Sequence, residues 1–111
     1  GITDEDAISK TSEYGRKLAQ LTIDHELDFD DKISQKLTAG WEMSRLAVAD
    51  RVLLRLALAE LIYIAETPAE ITINEMVELA KKFCGEKSPK FINGILDALY
   101  KDLKAKGEIH K

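Results

Sequence analysis

Between Leu46 and Ile64 the chain runs through nineteen residues of which only Asp50, Arg51, Arg55 and Glu60 are charged. Wound as an α-helix, Asp50, Arg51 and Arg55 fall within an arc of about 140°. Leu58 and Ile62 continue that same face further on, so the later half is apolar all round. A helix with a polar strip only near its start cannot sit on a surface; other elements must surround it. Glu60 then projects among Leu53, Leu56, Ala57 and Ile64, and a carboxylate there needs a hydrogen-bonding or cationic partner.

The flanking segments supply the surrounding elements, and they too read as helical. Tyr14, Leu18, Leu21 and Ile23 recur at helical spacing and predict a first helix from about Thr11 to Leu27. Asp28-Phe29-Asp30-Asp31 reads as a turn, and Phe29, Ile33 and Leu37 predict a short helix from about Asp30 to Thr38, ended by Ala39-Gly40. After the break at Thr67-Pro68, Thr72 and Glu75 have the spacing of a capping box, predicting a helix from Ile73 to Cys84. Ile73, Met76, Val77, Ala80 and Phe83 form its core face, with Glu78 and Lys82 as an outer pair. Ser88-Pro89 opens a last helix, Ser as cap and Pro at the first position, with Phe91, Ile92, Ile95, Leu96, Leu99 and Leu103 inward. Gly107 onward reads as a frayed tail. The expectation is an all-α bundle of about five helices.

Composition narrows the function. A chain of 111 residues with 45% hydrophobic positions suits one domain with a modest core. One cysteine and two histidines allow neither an internal disulfide nor a four-ligand zinc site, and they fit a reducing, cytoplasmic setting. No apolar run reaches the ~18 residues of a membrane span, and the start Gly-Ile-Thr-Asp-Glu-Asp is too acidic for a signal peptide. Phosphate loops, nucleophile elbows and metalloprotease helices are all missing from the sequence, so neither catalysis nor a cofactor or metal is expected. His25 and His110 read as surface residues. Cys84, at a helix C-terminus, reads as an unreactive thiol.

The net charge of −4 alone argues against a nucleic-acid binder. Its distribution argues otherwise: residues 1–43 carry 10 acids against 5 bases, and residues 81–111 carry 8 lysines against 4 acids. Within that basic rear, Lys81-Lys82-Phe83-Cys84-Gly85-Glu86-Lys87-Ser88-Pro89-Lys90-Phe91 joins four lysines, two aromatics and a helix N-terminus. Cations and free amides contact phosphate, and an accessible aromatic stacks on an unpaired base. Lysines on outer helix faces are equally the usual means of solvation, and both aromatics fall on core faces.

Three stretches resemble one family. Trp41-Glu-Met-Ser-Arg45 through Asp50-Arg51 to Glu60-Leu61, then Ile73-Asn-Glu-Met-Val-Glu78-Leu-Ala-Lys-Lys-Phe83, then Ser88-Pro-Lys90-Phe91-Ile-Asn93-Gly94-Ile-Leu-Asp97, look like the bacterial NusB antitermination family. The resemblance runs in order from about Ser12 to Leu99. It implies an all-α, NusB-like helical bundle that binds boxA-type single-stranded RNA together with NusE, a small-subunit ribosomal protein. Such a pair helps RNA polymerase read through terminators in ribosomal RNA operons. Carried over by position, Lys87, Ser88, Lys90 and Phe91 fall where the family touches RNA. Asp50, with Trp41 and Arg45 nearby, falls where it meets NusE. Asn93, Gly94 and Glu60 belong to the family pattern as architectural positions.

Family proteins begin with a basic, Arg-rich arm and first helices that have no counterpart in this reading. Residues 1–11 then form an acidic leader, 12–106 the NusB-like domain and 107–111 the tail. The expectation is that such a shortened domain covers its Leu53/Leu54/Leu58/Leu61/Ile62 surface by self-association or by rearranging its helices, and binds RNA weakly alone. Two other readings stay open: an RNA-binding module cut from an RNA cytosine methyltransferase, and an acidic helical adaptor without RNA.

Overall fold

A computed structural model describes the backbone of residues 4–37 and 42–111, with side chains described from Glu13 onward in the first stretch. Five α-helices follow one another: α1 (Asp4–Asp24), α2 (Glu26–Ser34), α3 (Val48–Tyr63), α4 (Ala69–Phe83) and α5 (Ser88–Ala105), with a 3-10 turn at Met43–Arg45 before α3. Among the described residues there is no strand, and the all-α expectation holds.

The apolar segment is the axis of the molecule. Leu54, Ala57, Leu58 and Ala59 of α3 are fully buried, and α1, α2, α4 and α5 all pack against it. Leu18 of α1, Phe29 and Ile33 of α2, Met76 and Ala80 of α4, and Ile92, Leu96, Leu99 and Leu103 of α5 complete one core. The surface expected to drive self-association is therefore covered within the chain. Leu53, Leu54, Leu58 and Leu61 are buried, and Ile62 is half-buried against the core.

Several local expectations are corrected. The leader is already helical from Asp4, where acidic residues suit a helix N-terminus. The acidic stretch after His25 is helix rather than turn. Glu26 and Asp28 favour the first turn of α2, while Phe29 and Ile33, four residues apart, bury its inner face. Arg55 of α3 clamps this helix through both Asp30 oxygens, at 2.7 and 2.8 Å, with Glu26 at 3.3 Å. His25, at the bend between α1 and α2, is half-buried and stacks on Tyr63 with ring centroids 4.5 Å apart. The helix stop expected at Ala39-Gly40 lies outside the described residues.

Thr72 is no cap, because α4 starts at Ala69 behind Pro68. Its hydroxyl donates to Glu60 Oε1 at 2.5 Å, and the Tyr14 hydroxyl donates to Glu60 Oε2 at 2.5 Å. The buried carboxylate thus has the partners its position demands, from α1 and α4. Glu78 pairs with Lys81 rather than Lys82. Phe83 is 73% exposed instead of buried, since α4 ends there and Cys84 turns into extended backbone.

The tail is not frayed. Gly107 adopts a left-handed φ of 72°, and Glu108 N–H donates back to the Leu103 carbonyl at 2.9 Å, closing α5 with the bond of a Schellman motif. Ile109 is buried beyond that turn. Lys111 Nζ then donates to the carbonyls of Glu60, Ile64 and Thr67 at 3.1, 2.9 and 2.7 Å, pinning the tail to the end of α3 and the turn after it.

Candidate nucleic-acid interface

Where α3 and α5 begin, their first turns face each other across the 3-10 turn and leave a cleft of about 630 Å³. Leu46 is held at its edge by the 3-10 bond from its N–H to the Met43 carbonyl. Pro89 presets the backbone for the start of α5, so Lys87 and Lys90 flank a helix N-terminus. The walls are Leu37, Leu46, Ala47, Phe91 and Ile95, and Arg45, Lys87 and Lys90 bring positive charge.

Six of the seven residues singled out from the sequence line this one cleft: Arg45, Asp50, Lys87, Ser88, Lys90 and Phe91. Trp41 lies outside the described residues. Arg45, Lys87 and Lys90 are exposed, and among the described residues none of them makes an ion pair. Phe91 is half-buried, one side against the core and the other toward the cleft. Free cations beside a partly open ring form an arrangement that can hold a phosphate and a planar group together.

Asp50 sits differently from the surface contact expected of it. It is 8% exposed, and Ser88 Oγ donates to its Oδ2 at 3.2 Å, tying the first turn of α3 to that of α5. Its Oδ1 and the Nε of Arg51 are buried with no partner among the described residues. The Cys84 thiol is pushed up from its ordinary value, first by burial and then by the neighbouring Asp50 carboxylate. The thiol is thus held protonated, as its place at a helix end suggested, although burial is the main cause. Ser88, expected as a helix cap, spends its hydroxyl on Asp50, and Lys87 occupies the cap position.

Sequence reasoning gives Gly94 only an architectural place, whereas it lines the cleft from the middle of α5. A Cβ at Gly94 would meet no described atom within 4 Å beyond its own helix backbone and chain neighbours. A glycine in a helix interior is a legible signal, because it costs stability and calls for a reason. Among the described residues no group of His, Cys, Asp or Glu could hold a metal ion, and no helix is long and apolar enough to cross a membrane.

Residues 2–101 match the model of the NusB family, a match that takes in the acidic leader set outside the domain on sequence grounds. The transcription antitermination protein NusB of Chloroherpeton thalassium is 40% identical over 113 aligned residues, covering all of this chain and 53% of that protein. This chain thus spans about half the length of that relative. Among solved structures, T. maritima NusB superposes with a TM-score of 0.81 at 39% identity, over 89% of this chain and 69% of that one. A structure of antitermination factors NusB and NusE in complex with dsRNA superposes with a TM-score of 0.73 at 36% identity, over 81% and 65% of the two chains.

Proposed function

The chain belongs to the NusB family, and from that premise we propose that it acts as a transcription antitermination factor, binding boxA-type single-stranded RNA together with NusE. The pair joins the antitermination complex of RNA polymerase in the cytoplasm and favours read-through of terminators in ribosomal RNA operons. The role is one of binding, without catalysis or cofactor. Its strongest support is the convergence of Arg45, Lys87, Ser88, Lys90 and Phe91 on one cleft, whose cations make no ion pair among the described residues.

In this reading Lys87 and Lys90 take RNA phosphates and Phe91 takes the face of an unpaired base. Asp50 works from beneath: by holding Ser88 it fixes how the start of α5 is presented. NusE docks beside the entrance of α3, near Arg45, where Val48 (66% exposed) and Val52 (42% exposed) offer apolar contact; Trp41 keeps the NusE-binding role that the family pattern gives it. A helical adaptor without RNA draws on those same valines, but gives no work to the unpaired cations of the cleft.

Titration of a labelled boxA-type RNA, with and without NusE and at several salt concentrations, tests the reading. Binding that strengthens with NusE and weakens as salt rises is expected. Each phosphate-contacting lysine replaced should lower the salt slope by about one. NusE binding with no RNA affinity at any salt would favour the adaptor.

A further inference from the structure

The glycine at position 94 has a cost and, among the described residues, no packing reason. It lies seven residues into α5, where glycine is the least favourable residue after proline. Its backbone is ordinary helix, for the only residue with positive φ among the described ones is Gly107. Outside its own helix backbone and chain neighbours, an added Cβ would touch no described atom within 4 Å, so packing among the described residues does not require the side chain to be missing. What the missing side chain does is leave bare backbone on the wall of the cleft. Lys90 and Phe91 precede Gly94 by four and three residues, which sets all three on one helix face.

We propose, resting on the RNA-binding reading above, that Gly94 seats one unpaired nucleotide of a single-stranded RNA, its base lying against the bare α5 backbone beside the Phe91 ring. A planar base needs a flat approach, and a methyl group standing up from α5 would block it. The apolar walls at Leu46 and Ile95 suit the base, while Lys87 and Lys90 suit its phosphates. The cleft volume of about 630 Å³ is ample for a nucleotide. A protein segment would use the apolar walls, but the three cations that line the cleft suit the phosphates of RNA, so the charge favours RNA.

The test separates folding from binding. Gly94→Ala and Gly94→Leu are compared with the wild type by thermal unfolding, and by anisotropy titration of a labelled single-stranded boxA-type RNA with NusE present. Gly94→Ala should raise the unfolding midpoint by about 2–4 °C, because alanine is the better helix former. It should also weaken RNA binding by about tenfold, the scale on which one misplaced methyl group is felt, with Gly94→Leu weaker still. Scanning the RNA with abasic nucleotides should find one position at which the difference between Gly94→Ala and the wild type disappears.

Unchanged RNA affinity in both variants would overturn the proposal, as would a lowered midpoint for Gly94→Ala, which would mean that packing requires the glycine. NusE binding lost with RNA affinity intact would assign the cleft to a protein segment instead. Lys90→Glu, measured alongside, isolates the parent reading. If it abolishes binding while the Gly94 variants bind normally, only the seat is wrong. If the wild type does not bind this RNA at all, both fall.

Discussion

Replacing Thr72 with valine removes one hydroxyl from the protein interior and almost nothing else. Threonine and valine have nearly the same shape, so no cavity opens, and Thr72 is fully buried. The lost bond is the 2.5 Å donation to Glu60 Oε1, a carboxylate only 2% exposed that water cannot reach to compensate. A hydrogen bond to a charged group contributes about 1.5–3 kcal/mol, so a loss of about 2 kcal/mol is expected. With an unfolding entropy of about 2.1 cal/mol/K per residue, a chain of this length should lose about 9 °C of thermal midpoint. Tyr14→Phe removes the other bond to Glu60, but Tyr14 is 40% exposed and water can take over, so its cost should stay below about 1 kcal/mol. Both are measured by thermal and urea unfolding followed by far-UV circular dichroism. In the double variant Thr72→Val/Glu60→Leu, the two costs should sum to less than their separate values, since each partner alone leaves the other unpaired. A Thr72→Val midpoint within about 2 °C of wild type, or a larger loss for Tyr14→Phe, would refute the view that Glu60 is a desolvated tie between helices.

The Tyr14 phenol is pushed up to about 12, by burial first and then by its hydrogen bond to Glu60. The fold therefore favours the neutral phenol; that contribution is complete below the ordinary value of 10.0 and is lost as pH rises through about 12. Stability measured across this alkaline window should fall more steeply for the wild type than for Tyr14→Phe, and parallel curves would count against the shift. Lys111→Met keeps most of the side chain's length but takes the donor from three carbonyls at the end of α3. It should cost about 1–3 kcal/mol in urea unfolding, whereas a frayed residue would cost nothing. Phe83→Ser, at a site 73% exposed, should shift stability by no more than about 0.5 kcal/mol; a loss of 3 kcal/mol or more would return Phe83 to the core.

What was legible in the sequence follows the range of the interactions involved. The axis α3 is plain because an almost uninterrupted apolar segment has only one place to go, and α5 because Pro89 marks a helix start locally, although Ser88 does not cap it. Glu60 was recognised as needing partners, but their identity depends on Tyr14 and Thr72, which lie 46 and 12 residues away. The same distance problem misled the reading of Thr72, whose spacing to Glu75 imitates a local cap while its hydroxyl serves another helix. The acidic stretch around Asp30 looked like a turn because its counter-charge, Arg55, lies 25 residues on. The tail looked loose because its anchors are carbonyls, and backbone groups carry no sequence signature. Within the cleft, charge and family pattern brought out the cations and Phe91. They did not show that Asp50 is buried beneath Ser88, nor that Gly94 leaves the wall bare.

In the proposed function, the cleft between the starts of α3 and α5 is the RNA-binding face. It is tested most directly by titrating labelled boxA-type RNA, in the presence of NusE, with the wild type, Lys90→Glu and Phe91→Ala. Each variant is first checked for an intact helical signal and for NusE binding. Both variants should bind RNA at least about tenfold more weakly, Lys90→Glu with a shallower salt dependence and Phe91→Ala with an unchanged one. Wild-type affinity in both folded variants would contradict it.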